Sequence, residues 1–199
     1  MSILIACKSD NAVYMGTDTR IIVNDYVKND LCESNFKIQK LENGLLVGVT
    51  AERYERQTIF ANSEIFTLNR NGTLNRRHIV TSIIPKLYRL MEDEELLVEK
   101  EGETPFMKGV ILLAVNDVLY EITDKFDVIR HEDFQAVGPS SNYAQATLFN
   151  RNISDVNEKI LKALNVTSKY SNKAGGPYVL IDTKNLKYSV VGTKEDIKW

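Results

Sequence analysis

Cysteine is scarce: Cys7 and Cys32 are the only two in 199 residues. A chain of this length folds without bridges, so a disulfide framework is not expected, and two reduced thiols in a cytoplasmic protein are. Histidine is equally thin. His78 and His131 lie far apart, and neither shares a ligand-like spacing with another His or Cys, so no metal and no cofactor is implied. Charge of one sign is missing too: 25 Lys+Arg against 27 Asp+Glu gives −2, which offers no electrostatic footprint for nucleic acid or an anionic membrane. The longest apolar runs, such as 109–115, fall far short of the ~20 residues that span a bilayer. The start, Met-Ser-Ile-Leu-Ile-Ala-Cys-Lys, lacks the basic n-region and the apolar length of a signal peptide. What remains is 43% hydrophobic and 26% charged, the make-up of a globular protein and not of a disordered, collagenous or coiled-coil chain. The length fits one domain, 1–199, able to bury about 70% of its unfolded surface.

Hydrophobic periodicity falls into blocks. Residues 3–7 and 12–16 are apolar runs either side of the turn Ser9-Asp10-Asn11, a hairpin signal; 21–23 and 36–41 predict two further strands, with 24–34 a polar loop. Asn43-Gly44 predicts a tight turn leading to a strand over 45–49. The period then changes: Thr50 is a candidate helix cap, and Tyr54, Ile59, Phe60, Ile65, Phe66 and Leu68 follow at near-helical spacing. A second helix carries Ile79, Ile83, Ile84, Leu87, Leu90 and Met91, bent near Pro85. Residues 92–103 read as a solvated acidic helix end and loop. Strands return over 107–115, 118–123, 127–130 and 136–138, then helices over 141–150, capped by Ser140 or Ser141, and over 154–165, then strands over 178–182 and 188–191. No solenoid repeat, low-complexity stretch or linker interrupts them. Segregated blocks of this kind predict an α+β fold, two antiparallel sheets stacked between two helical layers.

Ser2 follows the initiator Met, and aminopeptidases remove Met when the next side chain is small. Mature Ser2 would then carry a free α-amine. A Ser hydroxyl needs a base to act as a nucleophile, and an N-terminal amine with a pKa near 8 is a base on the same residue.

The stretch from Ser2 to Asp18, then Phe36-Lys37-Ile38, then Gly48-Val49-Thr50-Ala51-Glu52, resembles the proteasome β-subunits and their bacterial relative HslV, which are N-terminal nucleophile hydrolases. The likeness continues through Ala136-Val137-Gly138-Pro139-Ser140-Ser141-Asn142-Tyr143-Ala144-Gln145-Ala146, close to the family's AVGSGS segment, and Gly175-Gly176 falls at its late double glycine. The resemblance implies the four-layer αββα sandwich of that family and a peptidase or amidohydrolase activity. By it, Ser2 stands at the catalytic threonine, Asp18 at an acidic position ending the second strand, and Lys37 at the lysine after the loop. The N–H of Ala51 stands at the oxyanion-hole glycine. Val49 and Arg53 would line the primary substrate pocket, with Ile21 and Ile22 near its wall, and Arg53 there would favour acidic substrates. The resemblance also implies self-association into rings, an AAA+ ATPase as feeding partner, and a peptide or amide substrate.

Three departures stand against a full site of that kind. The serine of AVGSGS is Pro139 here, the late aspartate is Ser171, and its companion serine is Ala174. Ser140, Ser141 or Ser171 are candidates to compensate. Serine in place of threonine also removes the methyl group that restrains χ1. Two other readings therefore stay open: a catalytically silent, proteasome-like ring subunit, and an acylase or transpeptidase of the same fold acting on a small amide.

Overall fold

A computed structural model of the chain describes residues 3–9, 11–23, 26–29, 31–150 and 153–192. The chain opens with β1 (Leu4–Ser9), β2 (Ala12–Asp18), a hairpin of β3 (Arg20–Val23) and β4 (Tyr26–Asn29), then β5 (Ile38–Lys40) and β6 (Leu46–Thr50). Helix α1 (Arg53–Ala61) follows. A long helical run is made of α2 (Arg76–His78), a π turn (Ile79–Ile83) and α3 (Ile84–Asp93). Then come β7 (Val110–Val115), β8 (Val118–Ile122), β9 (Val128–His131), β10 (Phe134–Val137), α4 (Ser141–Leu148), α5 (Val156–Tyr170), β11 (Tyr178–Asp182) and β12 (Ser189–Val191).

Two five-stranded antiparallel sheets form, in the orders β10-β1-β2-β11-β12 and β5-β6-β7-β8-β9. Strand alternation sends successive side chains to opposite faces, and here both faces of each sheet are covered. Leu4, Met15, Leu46, Leu112 and Leu119 fill the layer between the sheets. On the outer face of the second sheet, Val47, Val49, Ile111 and Leu113 pack against Ile59, Ile79, Ile83 and Leu87 of the first helical layer. On the outer face of the first sheet, Ile3, Ile5 and Leu180 pack against Leu148, Ile160 and Leu164 of α4 and α5. The result is the expected α+β sandwich of four layers, αββα.

Glycine makes two of these contacts possible. A Cβ on Gly48 would lie 2.5 Å from Leu4 Cδ2, and one on Gly16 would collide with Ile160 Cγ2. The sheets meet closely at the first position, and α5 settles onto β2 at the second.

Two polar devices close the sheet margins. At the outer edge of β5, the Lys40 N–H donates to the Tyr188 hydroxyl at 3.0 Å, and that hydroxyl donates to the Ile38 carbonyl at 3.2 Å. Where the chain passes from one sheet to the other, the buried Glu121 Oε2 accepts from His131 Nε2 at 2.8 Å and from Gln135 Nε2 at 2.6 Å.

Three local expectations are corrected. Residues 24–34 do not form only a loop, because β4 pairs with β3 in a two-stranded sheet. All four β4 residues are exposed, so no inward apolar face marked the strand in the sequence. Thr50 ends β6 and does not cap α1, whose cap position is Glu52. The helix predicted through Leu68 stops at Ala61 and gives way to a 3-10 turn over Ser63–Ile65. The buried residues of α1 are Glu55, Arg56, Thr58 and Ile59, while Tyr54 is 60% exposed. Pro85, where a bend was expected, stands in the first turn of α3 directly after the π turn, a feature at which helical runs commonly kink.

Candidate functional site

Leu4 pairs with Thr17 of β2 on one side and with Val137 of β10 on the other. The start of β1 is therefore flanked by the ends of both neighbours, β2 finishing in Asp18 and β10 in the turn that leads to α4. Ser2 and Met1 lie outside the described residues. Ile3 is the first described position, and its backbone is held firmly: its N–H donates to Asp18 Oδ1 at 3.1 Å, and its carbonyl accepts from the Thr17 hydroxyl at 2.7 Å.

The same Asp18 oxygen accepts from Lys37 Nζ at 2.8 Å. Asp18 is fully buried and Lys37 only 3% exposed, so the pair is shielded from water and each charge depends on the other. Lys37 Nζ also donates to the Arg20 carbonyl at 3.0 Å. An ammonium has three donors, and the third finds no acceptor among the described residues. Burial pulls the Lys37 pKa below the ordinary lysine value; Asp18 opposes that shift, and the positive charges of Arg56 and Arg20 add to it. Around this pair, Ile21, Thr19, Asn35, Phe36 and Val179 leave only a void too small for water.

Lys37 is tied to the start of α1 through the backbone. The Val49 N–H donates to the Lys37 carbonyl at 2.9 Å, and Ala51, 6% exposed, sits two residues further on, just before the cap of α1. The first N–H groups of a helix have no intrahelical acceptor and lie at its positive end. The entry of α1 is braced from β7 as well, because Glu55 Oε1 accepts the Gly109 N–H at 3.1 Å. Burial raises the Glu55 pKa.

The structure thus brings Asp18, Lys37, Ile21 and the backbone leading to Ala51 together. Val49 and Arg53 stand differently. Val49 is fully buried in the core beneath α1, and Arg53 is exposed on that helix. Ile22 pairs with Val27 through the β3–β4 ladder. Arg56, one helical turn after Arg53, is the arginine that turns inward. It is 5% exposed and lines a cleft of about 310 Å³ with Ser34, Asn35, Gln39, Gln57, Phe60 and Ala61. Sequence reasoning missed it because the apolar pattern of α1 was phased on Tyr54; phasing on Ile59 puts Glu55 and Arg56 inside. Arg20 was missed as well. Its guanidinium packs against Gly175, where any Cβ would collide with it, and its Nη1 donates to the Asn172 carbonyl at 3.0 Å. Ser140 and Ser171 meet nearby, hydroxyl to hydroxyl at 2.8 Å.

Among the described residues no group of His, Cys, Asp and Glu could hold a metal ion, and no helix is long and apolar enough to cross a membrane.

No protein-family model matches the chain, and no curated protein matches it in sequence. Solved structures do match. Thiobacillus denitrificans BPH superposes with a TM-score of 0.72 at 15% identity, over 90% of this chain and 96% of that one. Anbu, the ancestral beta-subunit from Yersinia bercovieri, gives 0.70 at 11% identity, over 98% and 88%. HslV from Trypanosoma brucei gives 0.60 at 11% identity, over 90% and 98%. The chain shares the four-layer αββα fold of these proteins.

Proposed function

We propose that the chain is an N-terminal nucleophile amidohydrolase, a peptidase of the threonine type in which Ser2 is the nucleophile once Met1 is removed. The observation that carries this reading is the buried Asp18–Lys37 pair whose shared oxygen also takes the Ile3 N–H. A desolvated ion pair is expensive as a mere stabilising device, and this one abuts the residue directly after Ser2. The likeness in fold to HslV, and to a BPH whose structure with epoxomicin superposes at a TM-score of 0.70 and 15% identity, supports the same reading.

In the proposed reaction the Ser2 hydroxyl attacks a substrate carbonyl and passes its proton to its own α-amine. Lys37, held by Asp18, supplies the positive charge that eases loss of that proton. The N–H of Ala51, at the positive end of α1, stabilises the tetrahedral oxyanion. Collapse breaks the amide bond, the ammonium returns its proton to the departing amine, and an acyl ester on Ser2 remains. Water then attacks the ester with the amine again as base. The substrate is a peptide or other amide, received beside Ile21 and the exposed Arg53 of α1. Rings of identical subunits and an AAA+ ATPase partner belong to this reading, as does a cytoplasmic setting.

The test combines intact mass with covalent labelling. Protein lacking Met1 should react with a β-lactone or epoxyketone probe, and Ser2→Ala should abolish the reaction. Retention of Met1, or no labelling of the trimmed protein, removes the hydrolase reading. That result would leave the silent ring subunit, which Pro139 favours because it offers no hydroxyl beside the chain start.

A further inference from the structure

Charge is sorted along the first helical layer. Between Glu64 and Glu92 the sequence has no Asp or Glu but five cations, Arg70, Arg76, Arg77, Lys86 and Arg89. Residues 92–103 then hold seven acids and one lysine. All of these cations and acids are exposed. Apart from Glu94, which accepts the Tyr54 hydroxyl at 3.2 Å, the acids keep their carboxylates to the solvent side, and no cation or acid of the two sets belongs to an ion pair among the described residues.

The order of the charges opposes the helix that carries them. Arg76 and Arg77 of α2 and Lys86 in the first turn of α3 come first, and α3 ends in Glu92 and Asp93. A helix dipole favours the reverse, anions at the N-terminus and cations at the C-terminus. A neighbouring helix that runs antiparallel with the same order sets its acids beside these cations and its cations beside these acids. Both mismatches are then relieved together.

The same face has room for apolar side chains. A groove of about 430 Å³ lies between the 3-10 turn over Ser63–Ile65 and α3, floored by Ile65, Pro85 and Leu90 and edged by Lys86, Arg89 and Asp93. Val80, in the π turn, is 46% exposed. Exposed ion pairs contribute little each, so charge sets the partner and the direction of pairing, while the groove and Val80 supply apolar area to bury.

We infer that the α2–α3 face is a self-association surface. A second copy of this chain sits on it about a two-fold axis, the helical runs antiparallel, with the cations of each copy against residues 92–103 of the other. Such a contact is isologous: both copies use the same patch, each cation–acid zone occurs twice, and the pair closes without a free end. The inference stands apart from the hydrolase reading, because neither Asp18 nor Lys37 takes part.

Sedimentation equilibrium of the full chain tests it, in about 0.05 M and about 0.5 M salt, which shortens the screening length from roughly 14 to roughly 4 Å. Arg77→Glu/Lys86→Glu/Arg89→Glu makes the whole face acidic, and Glu92→Lys/Asp93→Lys/Glu99→Lys makes it basic. The wild type should self-associate in low salt, with a dissociation constant at least about tenfold weaker in high salt. Each variant alone should be weakened at least about tenfold in low salt. An equal mixture of the two should recover wild-type association, since opposite charges face each other again, and that recovery also shows both variants to be folded. Zero-length carbodiimide cross-linking of isotopically mixed wild-type chains should join Lys86 of one chain to an acid of residues 92–103 of the other. Linked species should stop at two chains. A mixture no tighter than either variant alone overturns the inference. So does a wild-type mass, of one chain or of a larger assembly, that neither salt nor the variants change. Ladders of three or more chains linked through these residues overturn the two-fold arrangement in favour of head-to-tail contact.

Discussion

Ile3 and Lys37 share one oxygen. Asp18 Oδ1 receives the backbone N–H of Ile3 at 3.1 Å and the Lys37 ammonium at 2.8 Å, so the position of the first strand and the position of the buried cation are set by the same atom. Moving either one disturbs the other.

Removing one member of that pair leaves an uncompensated charge in the interior. Lys37→Ala and Asp18→Ala should each cost about 3–5 kcal/mol, which at this chain length lowers the melting temperature by roughly 2–4 °C per kcal/mol. Lys37→Met with Asp18→Asn should unfold at a higher temperature than either single alanine variant, because no lone charge remains. On the hydrolase reading all three lose probe labelling. Calorimetry beside labelling checks both parts, and an additive double variant would show that the two residues do not act as a unit.

Close approach at glycine makes a prediction about packing. Gly48→Ala would force a methyl group against Leu4 and Met15 between the sheets, and Gly16→Ala would force one against Ile160 and Leu180 under α5. Each should destabilise by about 1–3 kcal/mol, measured by denaturant titration. Gly44 and Gly72, with nothing near their Cβ positions but φ of 82° and 70°, should lose stability through the backbone instead if changed to alanine.

Glu121 sets a pH dependence. Its burial alone would raise the pKa, but the hydrogen bonds from His131 and Gln135 outweigh it and the folded value falls below the ordinary one. A depressed carboxyl stabilises the fold above its unfolded pKa of about 4.3, and that contribution is lost as the pH drops through the lower folded value. Glu121→Gln should therefore be less stable than wild type by about 1.5–3 kcal/mol near neutrality. The two should converge in strong acid. A gap that stays constant with pH would point to packing alone.

Thiol chemistry separates the two cysteines. Burial pushes the Cys7 thiol up to about 12, leaving almost no thiolate at neutral pH, while Cys32 is exposed. An alkylating reagent should modify one thiol in the native protein and both in denaturant. Mass spectrometry should find the native label on Cys32.

The layered fold was legible because both faces of nearly every strand are buried, and the apolar runs at 3–7, 45–49 and 107–115 carry that fact openly. Strand β4 was not legible, since an exposed hairpin has no hydrophobic face to write into the sequence. Asp18 and Lys37 were recognised from a resemblance; nothing in their spacing of 19 residues announces an ion pair, which depends on β2 and β5 arriving from different sheets. Arg56 was missed for a simpler reason. A charged residue on the inward side of a helix contradicts the usual pattern, and only the cleft that Arg56 lines with Ser34, Asn35, Gln39 and Gln57 reveals that its surroundings are polar. Ser140 read as an ordinary cap, yet its backbone sits at φ 80° and its side chain makes no cap bond to α4.

The phenol of Tyr188 has a last consequence. It satisfies the outward N–H of Lys40 and the outward carbonyl of Ile38, the very groups through which a foreign strand would add to that margin. Growth of fibrils seeded along this border is thereby blunted.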